Sequence, residues 1–301
     1  MDGSAMVAGA PTPVAADAAR CPLCGSSGRT RFRLQDYEIH RCHACGAEYN
    51  AWFRGGGGAG ELFDREYFEV RHKEAFAAQF DDHRNDPSVP VFLRRLEQIE
   101  SRIGVGSVLD VGPGLGTFLR LASDRGWRAE GVEVSAFAAD FIRRQHRQPV
   151  FTGDLVSFAA SVDRSFDVIT FWDSLEHVSR PLEVLEAARR LLRPGGLLVV
   201  ATDNFDCLVA DLSVALYRMS GGRWRYPVER VFIDRNRTYF TERSLRALLE
   251  RLELDVVLFE KMEYPLRKIK TSAAERLVLT GLYGLAHLTR RQAQVTLFAR
   301  S

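Results

Sequence analysis

The sequence predicts an α/β protein, a doubly wound sheet of mainly parallel strands preceded by a small metal-binding ribbon, and two stretches carry that expectation. Val108-Leu109-Asp110-Val111-Gly112-Pro113-Gly114-Leu115-Gly116-Thr117-Phe118 reads as a buried strand entering a glycine-rich turn that opens a helix. β-Favouring apolar residues flank a single acid there, and Phe118-Leu119-Arg120-Leu121-Ala122 continues with helical spacing. Cys21-Pro22-Leu23-Cys24-Gly25 and Cys42-His43-Ala44-Cys45-Gly46 are two knuckles of one type, separated by β-like runs at 29–34 and 37–41.

Composition bounds the rest. At 301 residues and 46% hydrophobic content, the chain can bury one large core plus a small accessory unit. The net charge of +2 gives no global field for gripping nucleic acid. Residues 1–19 are rich in Ala, Gly and Pro and lack both a basic n-region and a compact apolar h-region, so a disordered leader is expected there and not a signal peptide. No run of about 18 apolar residues occurs. Four of the five cysteines form the two CxxC pairs, which fits a metal in a reducing compartment, the cytoplasm, better than disulfides.

Four thiolates on two tight turns, Cys21, Cys24, Cys42 and Cys45, suit a tetrahedral Zn²⁺ site, and a closed site of four thiolates has a structural role. His40 and His43 are expected at the surface and Cys207 in the core. The boundaries that follow are a leader over 1–19, the ribbon over 20–54, a linker and two helices over 55–103, and the main domain over 104–301 with an insertion at about 205–240. Within 55–103, Gly55 to Gly60 is flexible by composition, the stretch from Leu62 leads into a charged helix reaching about Asp82, and Pro87 to Ile103 carries an amphipathic helix.

The glycine turn is G-x-G-x-G and not G-x-G-x-x-G, because Thr117 stands where a dinucleotide fingerprint has its third glycine. Such a turn suits a nucleoside carrying an amino acid. Arg128 to Ser135 reads as a second strand ending at Glu133, which falls 21 residues after Gly112, near the spacing at which an acid accepts hydrogen bonds from ribose hydroxyls. Phe151-Thr152-Gly153-Asp154-Leu155 follows, with Asp154 placed to cap a helix over 155–160. Phe166–Trp172 is a fourth strand running into Asp173-Ser174-Leu175-Glu176-His177-Val178. A helix over 181–192 and the turn Arg193-Pro194-Gly195-Gly196 then lead to a fifth strand ending near Asn204.

With these motifs in sequence, the chain resembles the class I S-adenosylmethionine-dependent methyltransferases, and in its F-D-x-I … L-E-H-V … P … L-x-P-G-G run the ubiquinone-type small-molecule branch. The resemblance implies a Rossmann-like seven-stranded sheet whose last strand is antiparallel. It assigns the cofactor to Asp110, Gly112, Gly114, Gly116, Glu133 and Val134, with Asp154 and Leu155 at the adenine and Trp172 completing the set; Phe137 is a further ring contact. It implies that the elements before the first strand often fold over the cofactor, where Tyr67 and Phe68 would form a lid; packing of their helix onto the domain is the alternative and the favoured explanation. The acceptor would then meet Asp173, Glu176 and His177 at the strand tips. His177 is the first choice of base, Asp173 the second, with a loop-holding hydrogen bond as the structural alternative for His177; Glu176 either positions His177 or caps the next helix. Where the branch commonly has Thr-Pro-Asn, Asp203 occupies the proline position, which marks a different acceptor.

The insertion mixes Trp224, Tyr226, Tyr239 and Phe240 with Arg223, Arg225, Arg230, Arg235 and Arg237, which suits a ring-bearing or anionic small-molecule acceptor such as a nucleotide-linked sugar, a lipid or a carrier-tethered intermediate, or else a solvated loop. Thr241 caps a helix, and strands are expected at 254–259 and 294–299. Between them 274–289 is an amphipathic helix flanked by Arg267, Lys268, Lys270, Arg290 and Arg291; it could touch a membrane peripherally, but its apolar face is expected to cover the sheet. Two competing readings remain. One is a ribosomal RNA base methyltransferase using the ribbon's Arg20, Arg29, Arg31, Arg33, Arg41 and Arg54, and the other is a cofactor-binding scaffold without turnover.

Overall fold

The chain enters the structure through a meander of three antiparallel strands, β1 (Gly28–Arg33), β2 (Tyr37–Cys42) and β3 (Glu48–Phe53). The computed structural model describes residues 20–34, 37–53, 62–264, 266 and 272–301. The expected leader, the 55–60 linker, Arg54, Arg267, Lys268 and Lys270 lie outside the described residues.

A π-helical turn at Tyr67–Arg71 precedes helix α1 (Lys73–Asp81), and α2 (Val89–Ile103) follows with Pro90 in its first turn. Strand β4 (Ser107–Val111) feeds the glycine turn and α3 (Thr117–Asp124). Then come β5 (Arg128–Glu133), α4 (Ala136–Phe141), β6 (Val150–Thr152), α5 (Leu155–Ser161), β7 (Phe166–Trp172), α6 (Pro181–Leu191) and β8 (Leu192–Asp203). The insertion holds α7 (Leu208–Met219), α8 (Tyr226–Val231) and the two-residue β9 (Thr238–Tyr239); α9 (Glu242–Arg251), β10 (Asp255–Met262), α10 (Ala273–Leu288) and β11 (Gln294–Arg300) complete the chain.

The main sheet has seven strands in the order β10-β11-β8-β7-β4-β5-β6, and β11 alone runs antiparallel to both its neighbours. Both faces are covered, as a parallel sheet requires. Val108, Val168, Leu197 and Val199 face α2 and α3, where they meet Ile99, Phe118 and Leu119. Leu109, Val111, Ile169, Phe171, Leu198 and Val200 face α5, α6 and α9. The strand order reverses between β4 and β7, so the tips of β4, β5, β7 and β8 open onto one crevice. The turn expected at 193–196 is a four-residue excursion within β8, since Leu192 pairs with Phe166 and Leu197 with Val168.

The ribbon is built into the rest of the fold. β3 pairs with β9 of the insertion, Glu48 opposite Tyr239 and Tyr49 opposite Thr238. Phe32, Leu34, Tyr37 and Ile39 share a core with Phe205, Val214, Phe232 and Tyr239, while Cys21, Leu23, Ala47 and Tyr49 join the core under α9. α9 starts as expected, with Thr241 and Ser244 forming a reciprocal capping box.

One expectation fails here. The helix at 274–289 does not cover the sheet: it packs on α7 with Ala286 buried, while Leu277, Val278, Leu285 and Leu288 stay exposed. Its apolar residues run round most of the helix, so periodicity alone could not tell which side was free. Among the described residues, no helix is long and apolar enough to cross a membrane.

Candidate active site

The glycine turn leaves β4 at the switch point. Gly112 adopts φ +74°, and a Cβ there would stand 2.7 Å from the Ser174 side chain; Gly116 adopts φ +85°, with a Cβ colliding with Ile142 at 2.8 Å. Larger residues fit neither position, so the loop stays close to the strand tips. Gly112 N–H donates to the Val132 carbonyl at 2.8 Å and Ser174 Oγ donates to the Val111 carbonyl at 2.6 Å, which ties the turn to its neighbours.

Glu133 ends β5 beside this turn, 5% exposed. Its Oε1 accepts Ser135 N–H at 2.8 Å and its Oε2 accepts Gly114 N–H at 3.1 Å. Asp110, 1% exposed, accepts from Thr170 Oγ1 at 2.7 Å through Oδ1, whereas its Oδ2 is buried without a hydrogen-bond partner. Burial pushes both carboxyls up to about 7. Thr117 Oγ1 and the Trp172 indole N–H are buried and unpartnered as well. An unpaired polar group in a protein interior costs about 1–3 kcal/mol, so three of them round one glycine turn suit a polar ligand. Sequence reasoning misses Thr117, since nothing in the sequence separates it from an ordinary first-turn threonine.

The other residues assigned to the cofactor fall as follows. Asp154 spends both oxygens on capping α5, accepting from Ser157 N–H at 2.8 Å and Ser157 Oγ at 2.9 Å. Leu155 is 2% exposed and packs in the core. Val134 is half-buried after β5. Trp172 packs against Phe92 and Phe118, centroids 5.4 and 5.0 Å away, on the side of α2 and α3. Over the turn lies an aromatic group: Phe63, Tyr67, Phe68, Phe76 and Phe80 pack with Leu115, Phe137 and Phe141, and the Arg65 guanidinium lies 5.0 Å from the Phe137 ring.

At the tips of β7 and β8 a second polar group forms. Asp173 sits at φ +48°, a strained conformation for a non-glycine residue, and accepts from Gln294 Nε2 at 3.1 Å. Asp203 accepts from Asn236 Nδ2 at 3.3 Å and from the Tyr264 hydroxyl, and burial with the nearby Asp173 pushes its carboxyl up to about 7. Glu176 neither positions His177 through its carboxylate nor caps α6. It is 2% exposed and accepts from Thr202 Oγ1 at 2.8 Å, while its backbone carbonyl accepts Arg237 N–H. His177 Nδ1 stands 3.4 Å from the Arg235 carbonyl, and its ring packs on Phe63 at 5.2 Å. A carbonyl only accepts, so Nδ1 carries the proton and Nε2 the lone pair. Burial lowers the His177 pKa to about 4, which keeps the ring neutral. Tyr264 and Gln294 had no sequence signal, because only the pairing of β11 with β8 and β10 brings them to Asp203 and Asp173.

The four cysteine sulfurs of the ribbon lie within 4.8 Å of one another, with closest separations of 3.4, 3.6 and 3.7 Å. Gly25 and Gly46, both at φ +72°, close the two knuckles by donating to the Cys21 and Cys42 carbonyls. His43 is exposed and His40 is held by Glu38.

A model of the methyltransferase domain matches residues 66–258. The chain belongs to that family. Its sheet and its motifs are those of the class I S-adenosylmethionine-dependent methyltransferases. Among curated relatives, the ubiquinone biosynthesis O-methyltransferase of Pseudomonas paraeruginosa is 29% identical over 151 residues, covering 46% of this chain and 64% of that protein. The match therefore spans less than two thirds of that relative's length. Among solved structures, an S-adenosylmethionine-dependent methyltransferase from Archaeoglobus fulgidus superposes with a TM-score of 0.53 at 18% identity, covering 78% of this chain and 100% of that one. The phosphoethanolamine N-methyltransferase 2 of Haemonchus contortus, in complex with S-adenosyl-L-methionine, gives a TM-score of 0.58 at 15% identity, covering 84% and 62%. At these identities the two structures establish the fold.

Proposed function

We propose that this methyltransferase transfers the methyl group of S-adenosylmethionine to an oxygen of a small molecule. The observation that carries the reading is the buried Asp110–Glu133 corner beside the glycine turn, where Asp110 Oδ2, Thr117 Oγ1 and the Trp172 N–H lack partners. Glu133 would accept the ribose hydroxyls, the turn glycines would admit the chain of the cofactor, and Asp110 would face its positive charge. The cofactor supplies a methyl group activated on a sulfonium. Tyr67, Phe68 and Phe137 would cover it and exclude water.

For the acceptor, Asp173 and His177 lie at the strand tips, and orientation of the hydroxyl there would supply much of the acceleration. Neutral His177, its Nδ1–H directed at the Arg235 carbonyl, offers Nε2 as the base. Asp203, in the position where the ubiquinone-type branch commonly has proline, would accept a hydrogen bond from the acceptor. The Arg235 guanidinium lies over Tyr67 at 5.1 Å and would meet an anionic part of the acceptor. The name of the Pseudomonas relative supports a small-molecule hydroxyl over RNA.

We further propose one structural Zn²⁺ in the ribbon, held by Cys21, Cys24, Cys42 and Cys45. Zinc–sulfur bonds of about 2.3 Å imply sulfur–sulfur edges of about 3.8 Å, close to the separations found. The test of the reaction is release of S-adenosylhomocysteine against a panel of hydroxyl-bearing small molecules and of RNA. Turnover with a small molecule supports the reading, and turnover with RNA alone contradicts it.

A further inference from the structure

Helix α10 is apolar on two sides. One side, with Leu279, Leu282, Tyr283 and Ala286, is turned toward the protein. On the other, Leu277, Val278, Leu285 and Leu288 are 76%, 61%, 48% and 81% exposed. At about 100° per residue these four, with Gly281 and Gly284, fall in an arc of roughly 120° along three turns. At the start of α10, Tyr226 donates to Glu275 Oε1 at 2.8 Å and so holds the α7–α8 turn against the side of the helix that Glu275 shares with Leu279, Leu282 and Ala286. That turn exposes Trp224 and Tyr226 by about half, and Met219 at the end of α7 is almost fully exposed. Arg218, Arg223, Arg225, Arg276 and Arg290 are exposed on the same elements and the turns that flank them. Residues 205–231 and 272–291 together carry seven arginines against four acids, a surplus of three in a chain whose net charge is +2.

We propose that this face docks on an anionic phospholipid surface. Burial of the apolar stripe in the headgroup boundary would supply the non-electrostatic part of binding. Trp224 and Tyr226 have the apolar body and polar tip that suit a membrane interface, and the arginines meet lipid phosphates. Charge complementarity selects the lipid over a second copy of the chain, which would bring the same arginines together. The inference does not rest on the methyl-transfer reading, since none of these residues contributes to the glycine turn, the Asp110–Glu133 corner or the His177 group.

The test is co-flotation of the zinc-replete full chain with vesicles of phosphatidylcholine alone and of equal parts phosphatidylcholine and phosphatidylglycerol. The expected result is retention on the anionic vesicles, weakened by salt, with a blue shift in tryptophan fluorescence. The double variant Leu277→Glu/Leu288→Glu should lose about tenfold or more in binding. Arg223→Glu/Arg225→Glu, which leaves the helix intact, should lose a comparable factor. Both variants should keep the thermal unfolding and S-adenosylmethionine binding of the parent. The proposal is overturned by absence of retention, by equal retention on neutral vesicles, or by unaltered binding of both variants. A lipid-independent dimer that Leu277→Glu/Leu288→Glu dissolves would overturn it in favour of a second copy.

Discussion

Glu133 and Asp110 share one buried corner, and their protonation is linked to whatever binds there. Their pKa values, raised to about 7 by burial, mean that the folded, ligand-free protein holds protons that the unfolded chain releases above about 4–5. Their contribution is therefore full at low pH and is lost as pH rises through about 7. The ligand-free protein should show this as a stability that declines from pH 5 to pH 8, less steeply in Asp110→Asn, measured by denaturant unfolding. A bound sulfonium and ribose favour the ionised carboxylates, so affinity for S-adenosylmethionine should rise over the same range with release of protons, measured by calorimetry in buffers of different ionisation enthalpy. His177 has the opposite sign, since its pKa is depressed to about 4 and the unfolded chain takes up the proton first as pH falls below about 6.5. For catalysis, His177→Ala should lower kcat by roughly 10²–10⁴ while leaving cofactor affinity unchanged, if Nε2 acts as base. Unchanged turnover would confine it to its contact with the Arg235 carbonyl. Asp110 and the turn glycines were legible because their chemistry lies within a few consecutive residues. Tyr264 was not, because its distance from Asp203 in sequence is 61 residues and no local pattern marks it.

Among the elements, β3 and β9 join the ribbon to the insertion, and the insertion holds the loop after β7 through Arg237 N–H to the Glu176 carbonyl and His177 to the Arg235 carbonyl. Asn50 adds a bond from its Nδ2 to the Asp234 carbonyl, and Tyr37 donates to the Phe232 carbonyl. This chain of bonds makes the ribbon a strut for the loop that carries Glu176 and His177. Zinc removal by chelation, or Cys24→Ser, should raise the acceptor KM and speed hydrogen exchange over 232–239, with the S-adenosylmethionine Kd nearly constant. Protection unchanged at 232–239 would contradict the strut. Phe232, fully buried against Phe32, Phe205 and Tyr239, should cost about 3–5 kcal/mol on substitution by Ala, measured by chemical unfolding. The knuckles could be read from spacing because both ligand pairs are local. The β3–β9 pairing could not, as it joins residues some 190 apart through only two positions. The exposed stripe of α10 escaped for a related reason: a helix apolar on two sides carries no sign of which one the fold covers.

At the scale of the molecule, the sheet order and the switch between β4 and β7 place the Asp110–Glu133 corner and the group of Asp173, His177 and Asp203 at one end of the strands. That arrangement follows from alternating strand and helix patterns with buried runs such as Val108–Val111 and Leu197–Val200, which is why the architecture was legible before the partners of its loops were. The apolar stripe of α10 and the cofactor corner lie on different elements, so lipid binding and cofactor binding should be separable by mutation. The central claim is that the corner formed by Asp110, the glycine turn and Glu133 holds S-adenosylmethionine. Titration calorimetry of the zinc-replete full chain tests it most directly, with S-adenosylmethionine and with S-adenosylhomocysteine. The account predicts one-to-one binding of both, weakened roughly 10- to 100-fold by Glu133→Ala through loss of hydrogen bonds to a charged acceptor. Folded protein that gives no heat with either ligand, or a Glu133→Ala variant that binds as the parent does, would contradict it.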